Sequence, residues 1–489
     1  MKRFVRCCLC AVAFCCVSDC ARAELTVIKD YEGQQGFTLH RMTVTPAGEP
    51  VPALKHRFVV PLHLRKPGNA ATHYLRSFGE LSPNDRWRRI KDKYGEQAYE
   101  WYEYSTPVAD LPMQDFRDAA PIFQKYADRF IAEASRCRRC DWGIEEMDLR
   151  GREAISYLLS DVQESRAISR ALAYVSRLAI IDRRIEDAIE YIRMNYQLGQ
   201  DFGKQRFLVS NLVGMAEVGL ANQSVIELIG TRDSPNLFWA LSELPRPIIN
   251  MRESMNLEMS FGVRMFPLLL DVEEKEHSPD EWTRLVATML NDLDASLDLF
   301  GTTKIPRDKT LARLGVAGIS LFAYPAAKQR LVEGGKTLAE VEAMSVSQVL
   351  LIDTAREFQK HADDFEKWTF VPYRQMREPS LPPRRVEDGF GALLADLLLP
   401  AVTAARTAQM RLYWQMNAIR VVEALRMHAA ASGSFPQSLS DITVVPVPRN
   451  PITEQPYEYR LDGEAAVLDL PFSDGMPGVA WRFELNLAK

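Results

Sequence analysis

The stretch Cys137-Arg138-Arg139-Cys140-Asp141 is the one motif of the sequence with chemical content. Two cysteines three apart in an oxidising compartment can close a short disulfide, and the arginines between them would favour the thiolates if they stayed free. A structural disulfide between Cys137 and Cys140 is therefore expected. Three alternatives ask for more. Redox catalysis needs the motif to open a helix after a strand, whereas here it follows a helical run. Haem attachment needs histidine where Asp141 stands, and zinc needs further ligands. His56, His63 and His73 lie nearest, at irregular intervals in proline-interrupted chain.

Other chemistry is sparse. Glu274 and His277 make one Glu-x-x-His, half of a carboxylate-bridged di-iron set that needs two copies projecting from helices. Its place just ahead of Ser278 puts it in an acidic loop. Asp363 and Asp364 are adjacent, so on a helix they point to different faces and read as solvated. Trp101, Tyr102 and Tyr104 are of a type that lines sugar or peptide grooves, and equally of a type that packs between helices. The chain holds no Gly-x-Ser-x-Gly, no His-Glu-x-x-His and no phosphate-cradling glycine loop. No catalytic residue, metal site or cofactor is expected.

Helices must position these residues. Ser82-Pro83, Ser234-Pro235 and Ser278-Pro279 each place a capping hydroxyl before a proline at the first helical position, and Glu281 completes a capping box with Ser278. Leu158, Val162, Ile168, Leu172, Val175 and Ala179 form one apolar stripe. Ile185, Ile189, Ile192 and Tyr196 continue it after a polar break, and Leu208, Leu212, Met215 and Val218 after another. Such short breaks make antiparallel neighbours, as in helical hairpins and solenoids, although no fixed repeat length is visible. Pro325 should kink or break a helix. From Glu24 to about Asn69, five prolines prevent long helices, and the chain should run extended over something else.

Near the far end, a long helix from about Ala392 to Ala431 should stop at Gly433. Beyond it, "PYEYRL" and "AAVLDL" flank Asp462-Gly463, the dipeptide of a type I′ hairpin turn. "VAWRFEL" then alternates, with Val479, Trp481, Phe483 and Leu485 on one face. The expected fold is mainly α. An irregular, hairpin- or solenoid-like multi-helix body carries an extended N-terminal segment and a small C-terminal α+β module, made of a long helix plus a three-stranded antiparallel sheet. The boundaries are 1–23 signal peptide, 24–81 extended proline-rich segment, 82–385 helical body and 386–489 terminal module.

The first residues point to export. Lys2, Arg3 and Arg6 precede an apolar stretch from Cys7 to Val17, and Ala21-Arg22-Ala23 offers a signal-peptidase site. The stretch is about half of what spans a bilayer, and Asp19 argues against lipidation at Cys20. Cleavage near Ala23 removes six of the eight cysteines and moves the formal charge from -5 to -8. That acidity disfavours nucleic acid as a partner. The expectation is a periplasmic or secreted protein without a transmembrane anchor after cleavage.

Two resemblances add to this reading. "SPNLFWALSELPRPIINMRESM" and "PALKHRFVVPLHLRKPGNAATHYLRSF" are similar to segments of large exported proteins of planctomycete-type bacteria, a likeness that implies no activity. "EALRMHAAASGSFPQSL" followed by "VPRNPITEQPYEYRLDG" resembles the globular half of the major pseudopilin of type II secretion, which implies a long helix closed by a three-stranded sheet. A late loop of that family binds calcium; "FSDGMPG" stands in its place here, with Asp474 as the candidate ligand. That family's anchor helix and processing site are missing. The functional expectation is a non-catalytic binding or scaffold protein of the cell envelope, with an unknown protein or envelope component as partner. The alternative is an exported enzyme whose site forms between helices without a local motif.

Overall fold

A computed structural model of the chain describes residues 25–33, 36–79, 82–143, 152–257, 272–286, 288, 322–371, 375, 389–471 and 480–488. Residues 1–23, read above as a signal peptide, and Asp474 lie outside the described residues.

Strands β1 (Leu25–Lys29) and β2 (Phe37–Val44) come first, followed by a proline-rich run and a short strand, β3 (Lys66–Asn69). Helices α1 (Ala70–Gly79), α2 (Pro83–Tyr94) and α3 (Met113–Tyr126) lead to β4 (Cys137–Arg139), which pairs in parallel with β3. Next come α4 (Arg152–Ile181), α5 (Ile185–Phe202), α6 (Leu208–Ile229) and the short α7 (Phe238–Ser242). Helices α8 (Val346–Thr369) and α9 (Gly389–Ser432) precede the last strands, β5 (Glu458–Asp462), β6 (Ala465–Leu470) and β7 (Ala480–Leu487). The protein is mainly helical with a small α+β module at its end.

Local signals set several boundaries. The Ser82 hydroxyl accepts from Asp85 N, with Pro83 at the first helical position of α2. Glu281 accepts from both the N–H and the hydroxyl of Ser278, so the capping box is formed. Ser234-Pro235 does not begin a helix; α7 starts at Phe238, whose N–H donates to Asn236 Oδ1. The Ser234 hydroxyl instead donates to Ile229 O and accepts from Arg426. Pro325 lies inside a helix described from 322 to 333 and does not end it.

The breaks at Asp182–Arg184 and Gly203–Phe207 let α4, α5 and α6 fold back on one another. Helix α6 has the length and apolar composition of a membrane span, yet it is buried among α4, α5 and α9. Its flanks bury Val218, Val225 and Leu228 in the same continuous core that holds Trp414, Ile419 and Leu425 of α9.

The three strands expected at the far end are present, and the extended N-terminal segment adds two more. The sheet order is β1-β2-β7-β6-β5, antiparallel except for the parallel pair β2–β7, in which Phe37 stands beside Ala480 and Val44 beside Leu487. One face of this sheet presents His40, Met42, Val44, Leu468, Leu470, Trp481, Phe483 and Leu485 to the main core. Tyr457 and Tyr459 fasten its edge to α9 and beyond, donating to Trp414 O at 2.9 Å and Pro436 O at 2.7 Å. The other face carries a small apolar cluster of Phe37, Leu39 and Ala480 with Ile28. Charge pairs flank it, Arg41 with Glu484 and Arg482 with Asp469. In the β5–β6 hairpin Asp462 pairs with Ala465, so the loop is Gly463-Glu464. Of those two only Gly463 has positive φ, +63°, which is the type II′ pattern, not type I′ about Asp462-Gly463.

Candidate functional site

The disulfide expected between Cys137 and Cys140 is not formed; both are free thiols. Strand geometry supplies the reason. Cys137 opens β4, and residues three apart along extended chain stand about 10 Å apart and face opposite sides, beyond the reach of an S–S bond. The Cys137 thiol donates to Glu133 O at 3.5 Å and packs against Gly68. Burial pushes both thiols up, Cys140 far above the ordinary range with the Asp201 carboxylate adding to it. These are poor nucleophiles.

The aromatic run is packing. Trp101 and Tyr104 are buried, and Tyr102 is half-buried edge-on to Trp87 at 5.7 Å. The segment is held by Arg177 of α4, which donates to the carbonyls of Trp101, Glu103 and Thr106 and pairs with Glu227 of α6 at 2.9 Å. Tyr104 stacks at 5.9 Å on His40, which also meets Trp481 and Phe483, each at 4.7 Å. Neither His40 nitrogen has a hydrogen-bond partner, and burial pushes its pKa down to about 3.

The remaining sequence candidates do not converge. His56 reaches Glu186 at 3.6 Å, His63 lies in the turn Leu62–Leu64 and His73 on α1. Glu274 is exposed, and His277 sits edge-on to Trp282 at 4.7 Å. Asp363 and Asp364 part as expected, one to Gln359 and the other to Lys367. Among the described residues no group of three His, Cys, Asp or Glu could hold a metal ion.

Buried charge elsewhere serves as mortar. Arg426 and Glu423 on α9 are fully buried and 2.8 Å apart. Arg426 donates to Thr45 O and Ser234 O, while Glu423 accepts from Leu237 N, so the pair ties β2 and the Ser234–Leu237 run to α9. Glu217 of α6 is also enclosed; the Ser165 hydroxyl donates to it, and burial pushes its carboxyl up to about 8.

One open cleft gathers polar groups that point to a ligand. After α7, Pro245 and Pro247 keep the chain out of helix, and two residues one turn apart on α9 pin it down. Tyr413 Oη accepts from Ile248 N at 2.7 Å, and Gln409 Nε2 donates to Ile249 O at 2.8 Å. Asn250 Oδ1 then accepts from Arg252 N at 3.1 Å and starts the turn that carries Met251, Arg252 and Met255. Between these two walls, with Phe370 just past α8 closing one side, lies a cleft of about 380 Å³. Arg406, Gln409 and Tyr413 line it at helical spacing from α9. Arg406 donates to Val371 O at 3.2 Å, and the Arg252 guanidinium lies 5.9 Å from the Phe370 ring.

Among the described residues no Asp or Glu lines this cleft. Burial raises the Tyr413 phenol to about 12 even though Arg246 nearby pulls it down. Arginine and such a phenol hold their protons near neutral pH, so the wall is suited to binding charge rather than moving protons. Sequence reading missed this site because its residues come from three separate segments. The only local trace is Arg406, Gln409 and Tyr413 at spacings of three and four, a pattern equally common on solvated helix faces. Comparison with protein-family models, with curated proteins and with solved structures finds no match for this chain.

Proposed function

We propose that the chain is an exported, non-catalytic binding protein of the cell envelope, working in the periplasm or outside the cell. On this reading its pseudopilin-like terminal module serves as a structural cap. The observation that carries the proposal is the cleft between α9 and the run after α7. Among the described residues it offers Arg252, the Asn250 amide and the Tyr413 phenol, whereas the buried carboxylates Glu217, Glu227 and Glu423 are sealed elsewhere and hold loops or helices together. An acid–base enzyme would need such groups at the cleft wall. The test is affinity capture from the organism's envelope fraction with the full chain, alongside Arg252→Gln. A component retained by the unaltered protein and released by the variant supports the proposal. Turnover of a captured component, or retention of nothing, overturns it.

A further inference from the structure

We infer that the cleft binds a small organic oxyanion, a carboxylate or phosphate carried on an apolar body; this rests on the binding reading above and specifies its ligand. Four observations lead there.

The first is charge. The chain has an excess of acids, with a formal charge of -5, and among the described residues Arg41, Arg57, Arg330 and Arg356 are each paired with one. Around the cleft the pattern reverses. Among the described residues, Arg246, Arg252 and Arg420 have no carboxylate within ion-pair distance, and the nearest acids in sequence are engaged elsewhere. Glu253 turns to Arg206 at 3.3 Å, and Glu243 pairs with Arg57. Arg420 is mostly buried with only neutral partners, Ser242 Oγ at 3.0 Å and Asn417 Oδ1 at 3.2 Å. Burial, with Arg246 adding to it, pulls its pKa down to about 10. A field of this sign, held by groups that cannot give it up, is relieved by a bound anion.

The second is the balance of donors. Tyr413 Oη already accepts from Ile248, so its proton is left to donate, and the Asn250 carboxamide oxygen is occupied by Arg252 N, which leaves its NH2. Gln409 is spent the other way, its NH2 on Ile249 O. The groups left over are therefore mainly donors, with guanidinium among them, and that is the inventory of an oxyanion site.

The third is shape. A volume of about 380 Å³ falls at the lower end of ligand-binding clefts and admits a small molecule rather than a folded partner. The fourth is the apolar part of the wall, Met251, Met255 and Phe370, which a bare ion would leave uncovered. Phe370 is 60% exposed, so a ligand's apolar body has surface to gain there.

The test is isothermal titration of the full chain with four probes: phenyl phosphate, phenylacetate, inorganic phosphate and benzyl alcohol. The two aromatic anions are expected to bind at millimolar concentration or below, with benzyl alcohol and inorganic phosphate each weaker by about tenfold or more. Arg252 is exposed, so Arg252→Gln should fold normally and weaken both aromatic anions by about tenfold, whereas Arg139→Gln, an exposed arginine on β4, should change nothing. Equal binding of the anions and benzyl alcohol, no binding by any probe, or equal behaviour of the two variants would overturn the inference. Envelope capture that survives Arg252→Gln removes this ligand assignment alone; capture that never occurs removes the binding reading itself.

Discussion

Gly199 on α5 and Gly214 on α6 meet backbone to backbone. A Cβ on Gly199 would stand 2.7 Å from the Gly214 carbonyl oxygen, and one on Gly214 would stand 2.5 Å from that of Gly199. The partner atoms are main chain and cannot swing away, so Gly214→Ala should destabilise by about 1–3 kcal/mol through overpacking. Gly219 lies on the same helix with nothing within 4 Å of a Cβ, so Gly219→Ala should stabilise by about 0.5–1 kcal/mol through helix propensity. Urea unfolding of both variants checks the opposite signs. Equal shifts would mean that the helices are not in contact there.

His40 sets an acid limit. Its folded pKa, about 3, lies below the ordinary 6.5, so below pH 6.5 the unfolded chain takes up a proton that the folded one refuses. The stability lost grows as pH falls from 6.5 towards 3, at up to about 1.4 kcal/mol per unit. His40→Phe keeps a ring between Tyr104 and Phe483 and removes the titration. Between pH 7 and pH 4 the variant should gain about 3 kcal/mol relative to the original in denaturant midpoints converted to free energy. Parallel pH profiles would contradict the buried, neutral imidazole.

Glu217 acts with the opposite sign. Its folded pKa, about 8, lies above the ordinary 4.5, so its contribution is most favourable below pH 4.5 and declines as pH rises to 8. Glu217→Gln keeps an acceptor for Ser165 and needs no proton. It should stabilise by about 2–4 kcal/mol at pH 7.5 and by little at pH 4.5. A constant difference across that range would show that the carboxyl is ionised in the folded protein.

Trp481 is 7% exposed on the core face of β7. Trp481→Ala should cost about 3–5 kcal/mol, the range for a buried aromatic. Asp462→Asn should cost under about 0.5 kcal/mol, as expected for an exposed change. Thermal unfolding that separates the two by several degrees is the expected outcome. Similar midpoints would mean that Trp481 is not packed in the core.

The free thiols give a chemical check. After unfolding without reductant, both Cys137 and Cys140 should react with iodoacetamide. In the folded protein both should react slowly, because burial holds them as thiols. Protection that persists after unfolding would demonstrate a disulfide after all.

What was legible in the sequence was local. The Ser82 and Ser278 caps, the three-helix stripe from Val162 onward and the end of α9 depend on residues a few positions apart, and they stand as read. Ser234 carried the same signal as Ser82 but is recruited by Arg426, 192 positions away. No local rule registers that competition. Cys137-x-x-Cys140 looked like a bridge because spacing says nothing of whether the backbone between is a turn or a strand, and β3 makes it a strand. The cleft was invisible for a third reason. Arg252, Tyr413 and Phe370 are ordinary residues that acquire meaning only when the chain after α7 is pinned to α9 by two side-chain hydrogen bonds.

The parallel pairing of β2 with β7 imposes a sequence of events on a newly made chain. Arg41 and its sheet partner Glu484 are 443 positions apart, and contacts so distant form late compared with helices that need only their neighbours. Through synthesis β2 therefore waits, with Leu39, Met42 and Val44 lacking the strand that covers them. The helical body can assemble early, but the sheet closes only when the final strand arrives. Removal of β7 by a protease or an early stop would thus unfasten the opposite end of the polypeptide as well, exposing an apolar edge ready to pair with another chain.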